Sequence, residues 1–169
     1  FSTSWQVTSL LEHVEVRGMV LDCCGSARDA PSRVLAERGI RVTSNDLNPS
    51  LIADSHVDVT TDTFYNIFSH ETRRPDWIVT GPPYKTAFAI LKQALRIGRV
   101  GVAFKLRLDF LQPIKTRGQW LADNSPHMVV VLPRATYRGR HSCSTEAWFV
   151  WNKRKTEGCT RSSFRFAGP

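Results

Sequence analysis

The sequence has no apolar run near the roughly 20 residues a helix needs to cross a bilayer, and no basic stretch leading into an apolar core at its start. A membrane-spanning role and an export signal are therefore not expected. Cysteine is scarce: Cys23, Cys24, Cys143 and Cys159 are the four in 169 residues, with no C-x-x-C pair and no histidine at zinc-ligand spacing. The expectation is reduced thiols in an intracellular protein, compartment unspecified, with no disulfide framework and no metal site. Repeats, low-complexity tracts and clear linkers are missing too. A chain of this length then reads as one domain, residues 1–152, followed by a basic, extended tail, 153–169. Neither G-x-G-x-x-G nor the lysine of a phosphate loop is present, which weakens dinucleotide and triphosphate readings.

Acidic residues are short in one half only. Residues 1–84 carry 7 Lys/Arg against 11 Asp/Glu, a balance of −4, whereas 85–169 carry 16 against 4, a balance of +12. A one-sided excess of this size suits a polyanionic partner, and nucleic acid is the first candidate. A well-solvated basic surface is the plainer reading.

What is present alternates. Residues 3–16 have helical spacing with Thr3 or Ser4 as cap. "GMVLDCCG" (18–25), "IRVTSND" (40–46), "HVDVT" (56–60), "DWIVT" (76–80) and "VGVAFKL" (100–106) read as strands. "PSRVLAERG" (31–39) begins with Pro and ends with Gly, as helices do, and residues 86–98 form an amphipathic helix closed by Gly98. The order argues an α/β, mostly parallel, doubly wound sheet. "HMVVVLP" and "EAWFVWNK" follow with no helix between them, which predicts an antiparallel hairpin at one edge.

In such sheets ligands bind outside the carboxyl ends of the strands. Asp22 and Gly25 end the first strand. Asp46 ends the second, 21 residues after Gly25, where a carboxylate can accept both hydroxyls of a ribose. A turn-forming Asp is its alternative, since Asn48-Pro49 follows. The fourth strand runs into "GPPY" (81–84), two prolines and an aromatic at a strand end. Lys105 and Arg107 continue the fifth strand toward the same side, for phosphate contact or as a solvated edge. Residues 134–145 form a long polar loop in which Arg134, Arg138 and Arg140 interleave with Tyr137, a pattern suited to single-stranded nucleic acid.

Taken together, "LDCCG", "NDLNP" and "VTGPPY", in this order and spacing, resemble the class I S-adenosylmethionine-dependent methyltransferases, with their Rossmann-like fold. More narrowly the chain resembles the N6-adenine (amino) methyltransferases whose fourth strand ends in Asp/Asn/Ser-Pro-Pro-Tyr/Phe. "FKLRLDFLQP" and "TEAWFVWNK" are similar to segments of compact phage and plasmid enzymes of that kind. The resemblance covers nearly the whole chain. It implies S-adenosyl-L-methionine as cofactor, held by Thr3, by the loop Asp22, Cys23, Cys24 and Gly25, by the ribose turn Asp46-Leu47, and by Asp58 or Asp62 at the adenine amino group. It implies catalysis by Gly81, Pro82, Pro83 and Tyr84, with adenine in DNA or RNA as substrate.

An exocyclic amine is a poor nucleophile because its lone pair is delocalised into the ring. Acceptors held against its N–H bonds, here the carbonyls of Gly81 and Pro82, draw the nitrogen toward tetrahedral geometry. Tyr84 then stacks on an extruded base. Position 81 departs from the pattern: Gly stands where the family carries Asp, Asn or Ser. Either the backbone carbonyl, aided by water or the Thr80 hydroxyl, suffices, or the module has lost catalysis and binds RNA or a ribonucleoprotein as an assembly factor or subunit. A protein glutamine methyltransferase, which shares a Pro-Pro-Tyr loop, is a further alternative.

Overall fold

The computed structural model of the chain describes residues 3–133, 136–137, 140–141, 144–153 and 163–167. Four short strands, Met19–Asp22 (β1), Arg41–Ser44 (β2), Trp77–Thr80 (β3) and Gly101–Arg107 (β4), pair in parallel in the order β2-β1-β3-β4. Helices Ser4–Leu11 (α1), Ala30–Glu37 (α2), Asp62–Ser69 (α3), Ala87–Ile97 (α4) and Thr116–Asp123 (α5) cover them. After Met128–Val131 (β5), a two-residue pair joins Thr136–Tyr137 (β6) to Arg140–His141 (β7). Glu146–Asn152 (β8) runs antiparallel to β4 and, on its other side, antiparallel to β5. Ser163–Phe166 (β9) adds to β5 in parallel, giving a seven-stranded sheet ordered β2-β1-β3-β4-β8-β5-β9. The expected Rossmann-like architecture with an antiparallel C-terminal hairpin is the one observed.

Alternation along each strand divides the core in two. Leu21, Ile78, Phe104 and Phe149 face α3 and α4. Their neighbours Val20, Val79, Ala103 and Trp148 face α1 and α2. Because both faces are covered there, the central strands β3, β4 and β8 are buried almost throughout and read as largely apolar runs, whereas the outer strands β2 and β9 do not.

Two expected elements differ. The first helix stops at Leu11 instead of reaching 16, because Val14 and Val16 are buried with Glu15 exposed between them, a two-residue period a helix cannot satisfy. Residues 56–60 are not a strand. The side chain of Asn45 takes the place of a backbone neighbour there. Its Oδ1 accepts from Val57 N (3.0 Å) and Ser55 Oγ (2.8 Å), and its Nδ2 donates to Val57 O (3.0 Å). Only a bridge at Ser55 forms, and Thr61 then caps α3 by accepting from Phe64 N.

No helix among the described residues is long and apolar enough to cross a membrane.

Candidate active site

The loops that leave β1, β2 and β3 emerge on one side of the sheet, because parallel strands share a carboxyl end. They enclose a cleft of about 480 Å³, within the range of small-molecule sites.

The first loop supplies Asp22, Cys23, Cys24 and Gly25 to the lining. Asp22 is 1% exposed. Thr80 Oγ1 donates to its Oδ1 at 2.7 Å and accepts from Cys24 N at 3.1 Å, while Ser32 Oγ donates to its Oδ2 at 3.5 Å. Burial pushes the carboxyl up from 3.8 to about 7; the Thr80 hydrogen bond opposes this and the nearby Asp29 charge adds to it. Gly25 is required by close approach: a Cβ there would overlap the Asp22 carboxylate. Cys23 and Cys24 are free thiols, with sulfurs 3.9 Å apart. The Cys24 hydrogen bond and burial push the Cys23 thiol up, so it is no thiolate nucleophile. Cys143 and Cys159 lie outside the described residues.

The second loop brings Asp46 and Leu47. Asp46 Oδ1 accepts from Asn48 N at 2.8 Å, so one carboxylate oxygen shapes the turn. The turn and ligand readings of this residue are therefore compatible. Leu47, 63% exposed, and Leu51 give the cleft an apolar flank. Asp58 joins from the segment before α3. Its Oδ1 accepts from Thr60 N (2.8 Å) and Thr60 Oγ1 (2.7 Å), and those bonds lower its pKa. Asp62, the other candidate, is not in the lining; it begins α3.

The third loop is Gly81, Pro82, Pro83 and Tyr84, all in the lining. Pro82 is buried, and the Pro83 carbonyl turns back to accept from Thr86 N at 3.1 Å. Gly18 and Gly39 are the glycines with positive φ among the described residues, so Gly81 holds a backbone conformation open to any L-residue. The Thr80 hydroxyl, expected as a possible aid to catalysis, points the other way and is committed to Asp22 and Cys24 N.

Tyr84 is held from an unexpected quarter. Its hydroxyl donates to Glu146 Oε1 at 2.7 Å, and Glu146 Oε2 pairs with Lys105 Nζ at 3.0 Å. Lys105 also donates to Gln6 Oε1 at 3.3 Å, and Gln6 Nε2 donates to Glu146 Oε2 at 3.3 Å. Burial, the Glu146 hydrogen bond and its negative charge push the Tyr84 hydroxyl well above its usual range, so it stays protonated. Glu146 has the opposite shift. Partial burial works against its charge, but the Tyr84 hydroxyl and the Lys105 ammonium outweigh it and hold the carboxyl below the usual range.

The remaining expected residues are placed as follows. Thr3 caps α1, its N–H donating to Gln6 Oε1 at 2.9 Å, and is absent from the lining. Lys105 lines the cleft but is 5% exposed, so its charge answers Glu146 inside the protein rather than a phosphate outside it. Arg107 pairs with Asp109 at 2.6 Å beside the Tyr84 ring. Arg134 and Arg138 lie outside the described residues, as do the side chains of Tyr137 and Arg140. Sequence reasoning did not single out Asn45, Gln6 or Glu146. Asn45, fully buried, also donates to Cys23 O at 3.1 Å and so ties the first two loops together. A polar residue just inside a strand end, next to Asp46, was its only local signal. Gln6 and Glu146 meet across 140 residues of sequence and had none.

No protein-family model matches the sequence, and no curated protein sequence matches it. Solved structures do. A modification subunit of a putative type I restriction enzyme from Vibrio vulnificus superposes with a TM-score of 0.62 at 13% identity, over 98% of this chain and 46% of that one. A putative class I S-adenosylmethionine-dependent methyltransferase from Listeria monocytogenes gives 0.63 at 9% identity, over 98% and 63%. A predicted O-methyltransferase from Agrobacterium tumefaciens gives 0.57 at 14% identity, over 98% and 85%. The chain thus spans less than two thirds of the first two. At these identities the likeness concerns the fold: this is the fold of S-adenosylmethionine-dependent methyltransferases.

Proposed function

We propose that the chain is an S-adenosylmethionine-dependent amino-methyltransferase acting on adenine in DNA or RNA by direct transfer. The observation that carries this reading is the meeting, in one cleft, of the Asp22–Gly25 loop, the Asp46-Leu47 turn and the Gly81–Tyr84 loop. The lining suits the cofactor chemically. Asp46 and Asp58 are acceptors at loop ends for hydroxyl and amino donors, Leu47, Leu51 and Val59 offer an apolar flank to a heterocycle, and the Asp22 carboxyl is buried, bonded to Thr80. When bound there, S-adenosylmethionine supplies a sulfonium-activated methyl group.

The chain's own work is to present the amine. Tyr84, 53% exposed and anchored through its hydroxyl to Glu146, offers a ring face for a base taken out of its stack. Its neighbours Pro82 and Pro83 have fixed φ and no N–H, which keeps the loop rigid and free of donors that would compete for the carbonyls. The carbonyls of Gly81 and Pro82 accept from the amine N–H bonds and localise its lone pair for attack. Proximity and alignment supply much of the remaining rate. The basic second half gives sequence-independent affinity for phosphates.

One observation favours a second reading, a catalytically silent module that binds RNA or a ribonucleoprotein. Neither position 80 nor position 81 offers a side-chain acceptor to the amine, since Thr80 is turned inward. Titration calorimetry with S-adenosylmethionine separates the two. Micromolar binding lost in Asp46→Ala, followed by methyl transfer to adenine-containing oligonucleotides, is the expected result. No binding at millimolar cofactor would leave the second reading standing.

A further inference from the structure

Behind Tyr84 lies a second, smaller cavity that the reading above does not use. It measures about 180 Å³, and Tyr84 is the wall it shares with the larger cleft. Leu106, Phe110 and Ile114 give it apolar surfaces, and Arg107, Asp109, Gln112 and Arg117 give it polar ones. The charged groups are within reach of one another and about half exposed in the case of Arg107 and Asp109. Arg107 Nη2 pairs with Asp109 Oδ2 at 2.6 Å. The Arg117 guanidinium lies over the Phe110 ring, 4.9 Å from its centroid, and its Nη2 donates to Gln112 O at 3.1 Å.

The segment that builds this cavity also carries backbone strain. Lys115, at the start of α5, has φ 52°, the one non-glycine residue with positive φ among those described. Strain of this kind persists where the surroundings over-determine it and gathers at ligand sites. Ile114 beside it, which lines the cavity, is an exposed apolar side chain, as is Leu111 in the same segment.

We infer that this cavity receives the base next to the target adenine, and that it selects guanine. This rests on the proposed function and goes further, because it assigns sequence preference to a chain with no separate recognition domain in its described residues. A phosphate alone would need no apolar wall, whereas a planar heterocycle uses both kinds of surface. Among the bases, guanine presents two acceptors, O6 and N7, to an arginine fork. On its other edge N1–H and N2–H present two donors, which match a carboxylate. Arg107 together with Asp109 forms that complementary set, with the Arg117 guanidinium held against the backbone as part of the wall, and Tyr84 stands between the two bases it separates.

The test uses the whole chain and fluorescence anisotropy with short single-stranded oligonucleotides, as DNA and as RNA, each holding one adenine flanked by guanine, 7-deazaguanine, inosine or thymine/uracil. Guanine should bind at least about fivefold more tightly than thymine or uracil, the low end for one bidentate contact. Loss of N7 in 7-deazaguanine, or of the N2 amine in inosine, should each remove part of that preference, and Asp109→Asn should abolish the guanine-over-inosine difference. The base analogues alter the ligand and leave the protein intact, so the result does not depend on whether a variant folds. Tight, Tyr84-dependent binding that is indifferent to the flanking base overturns this inference and leaves the proposed function standing. No binding of any oligonucleotide overturns both.

Discussion

The buried Asp22 carboxyl makes a prediction with a definite sign. In the unfolded chain this group ionises near 3.8; in the folded protein it keeps its proton to about 7, chiefly because burial disfavours the charge. Below pH 3.8 it is neutral in both states and contributes nothing. Between about 4 and 7 the unfolded state releases the proton while the folded state holds it, so the folded state binds more protons and stability falls as pH rises. Above 7 the loss is complete and constant. The shift of about 3 units corresponds to about 4 kcal/mol. Asp22→Asn keeps an acceptor for the Thr80 hydroxyl and has no such titration. Its Tm relative to wild type should therefore rise from pH 4 to pH 8, by on the order of 10 °C at about 2–4 °C per kcal/mol for a chain of this size. Differential scanning calorimetry of both proteins at pH 4, 5, 6, 7 and 8 measures this directly, and the difference between them cancels the other titrating groups. A Tm gap that stays flat from pH 5 to pH 8, or one that shrinks, would refute the reasoning.

Two other substitutions probe the loop that carries Tyr84. Gly81 has no positive φ, so Gly81→Asp adds a side-chain acceptor without backbone strain; methyl transfer to adenine oligonucleotides should rise about a hundredfold, the effect of one such hydrogen bond, and an unchanged rate would show that the missing acceptor is not limiting. Glu146→Ala removes the carboxylate that answers the buried Lys105 charge, leaving Gln6 Oε1 as a neutral acceptor, and should cost about 2 kcal/mol, less than the roughly 3–5 of a fully buried pair because Glu146 is partly exposed. Glu146→Gln keeps an acceptor oxygen for Lys105 and Gln6 while its amide N–H donates to the Tyr84 hydroxyl in the reverse direction, and it should lose less. The wild-type advantage over Gln is present above the ordinary 4.5 and fades as pH falls through the lowered native value, which chemical denaturation at pH 3 and pH 7 distinguishes.

The sequence makes the frame legible where local chemistry agrees with the fold. Gly18, Gly39 and Gly98 punctuate the strands and helices, and Pro31 starts α2. The cleft-forming loops were legible for the same reason: they sit at strand ends, and strand ends were marked by Asp, Gly and Pro. What failed to show was whatever depends on partners far apart in sequence. The strand expected at 56–60 lost its ladder to the side chain of Asn45, which no pattern of apolar residues records. Lys105 looked like a surface cation because Glu146, 41 residues away, cannot be inferred from spacing. The α3 and α5 helices were missed because their apolar faces are short, as the single buried residue of α5, Leu121, shows.

The position of β8 sets the timing of assembly. Strand β5 has no ladder to the parallel half of the sheet; β8 is what joins them, and it arrives after β5 in the chain. The same strand brings Glu146 to Tyr84, 62 residues upstream, and Trp148 Nε1 to the Gln6 carbonyl at 2.7 Å, 142 residues upstream. At a synthesis rate of roughly 5–20 residues per second, the Tyr84 loop emerges from a ribosome several seconds before the residue that anchors it. The first four strands can pair in that interval, but the aromatic wall shared by the two cavities lacks the carboxylate that holds its hydroxyl. Completion of the site therefore coincides with closure of the sheet, and a nascent chain caught before residue 146 would carry every cleft-lining motif named above without a fixed Tyr84.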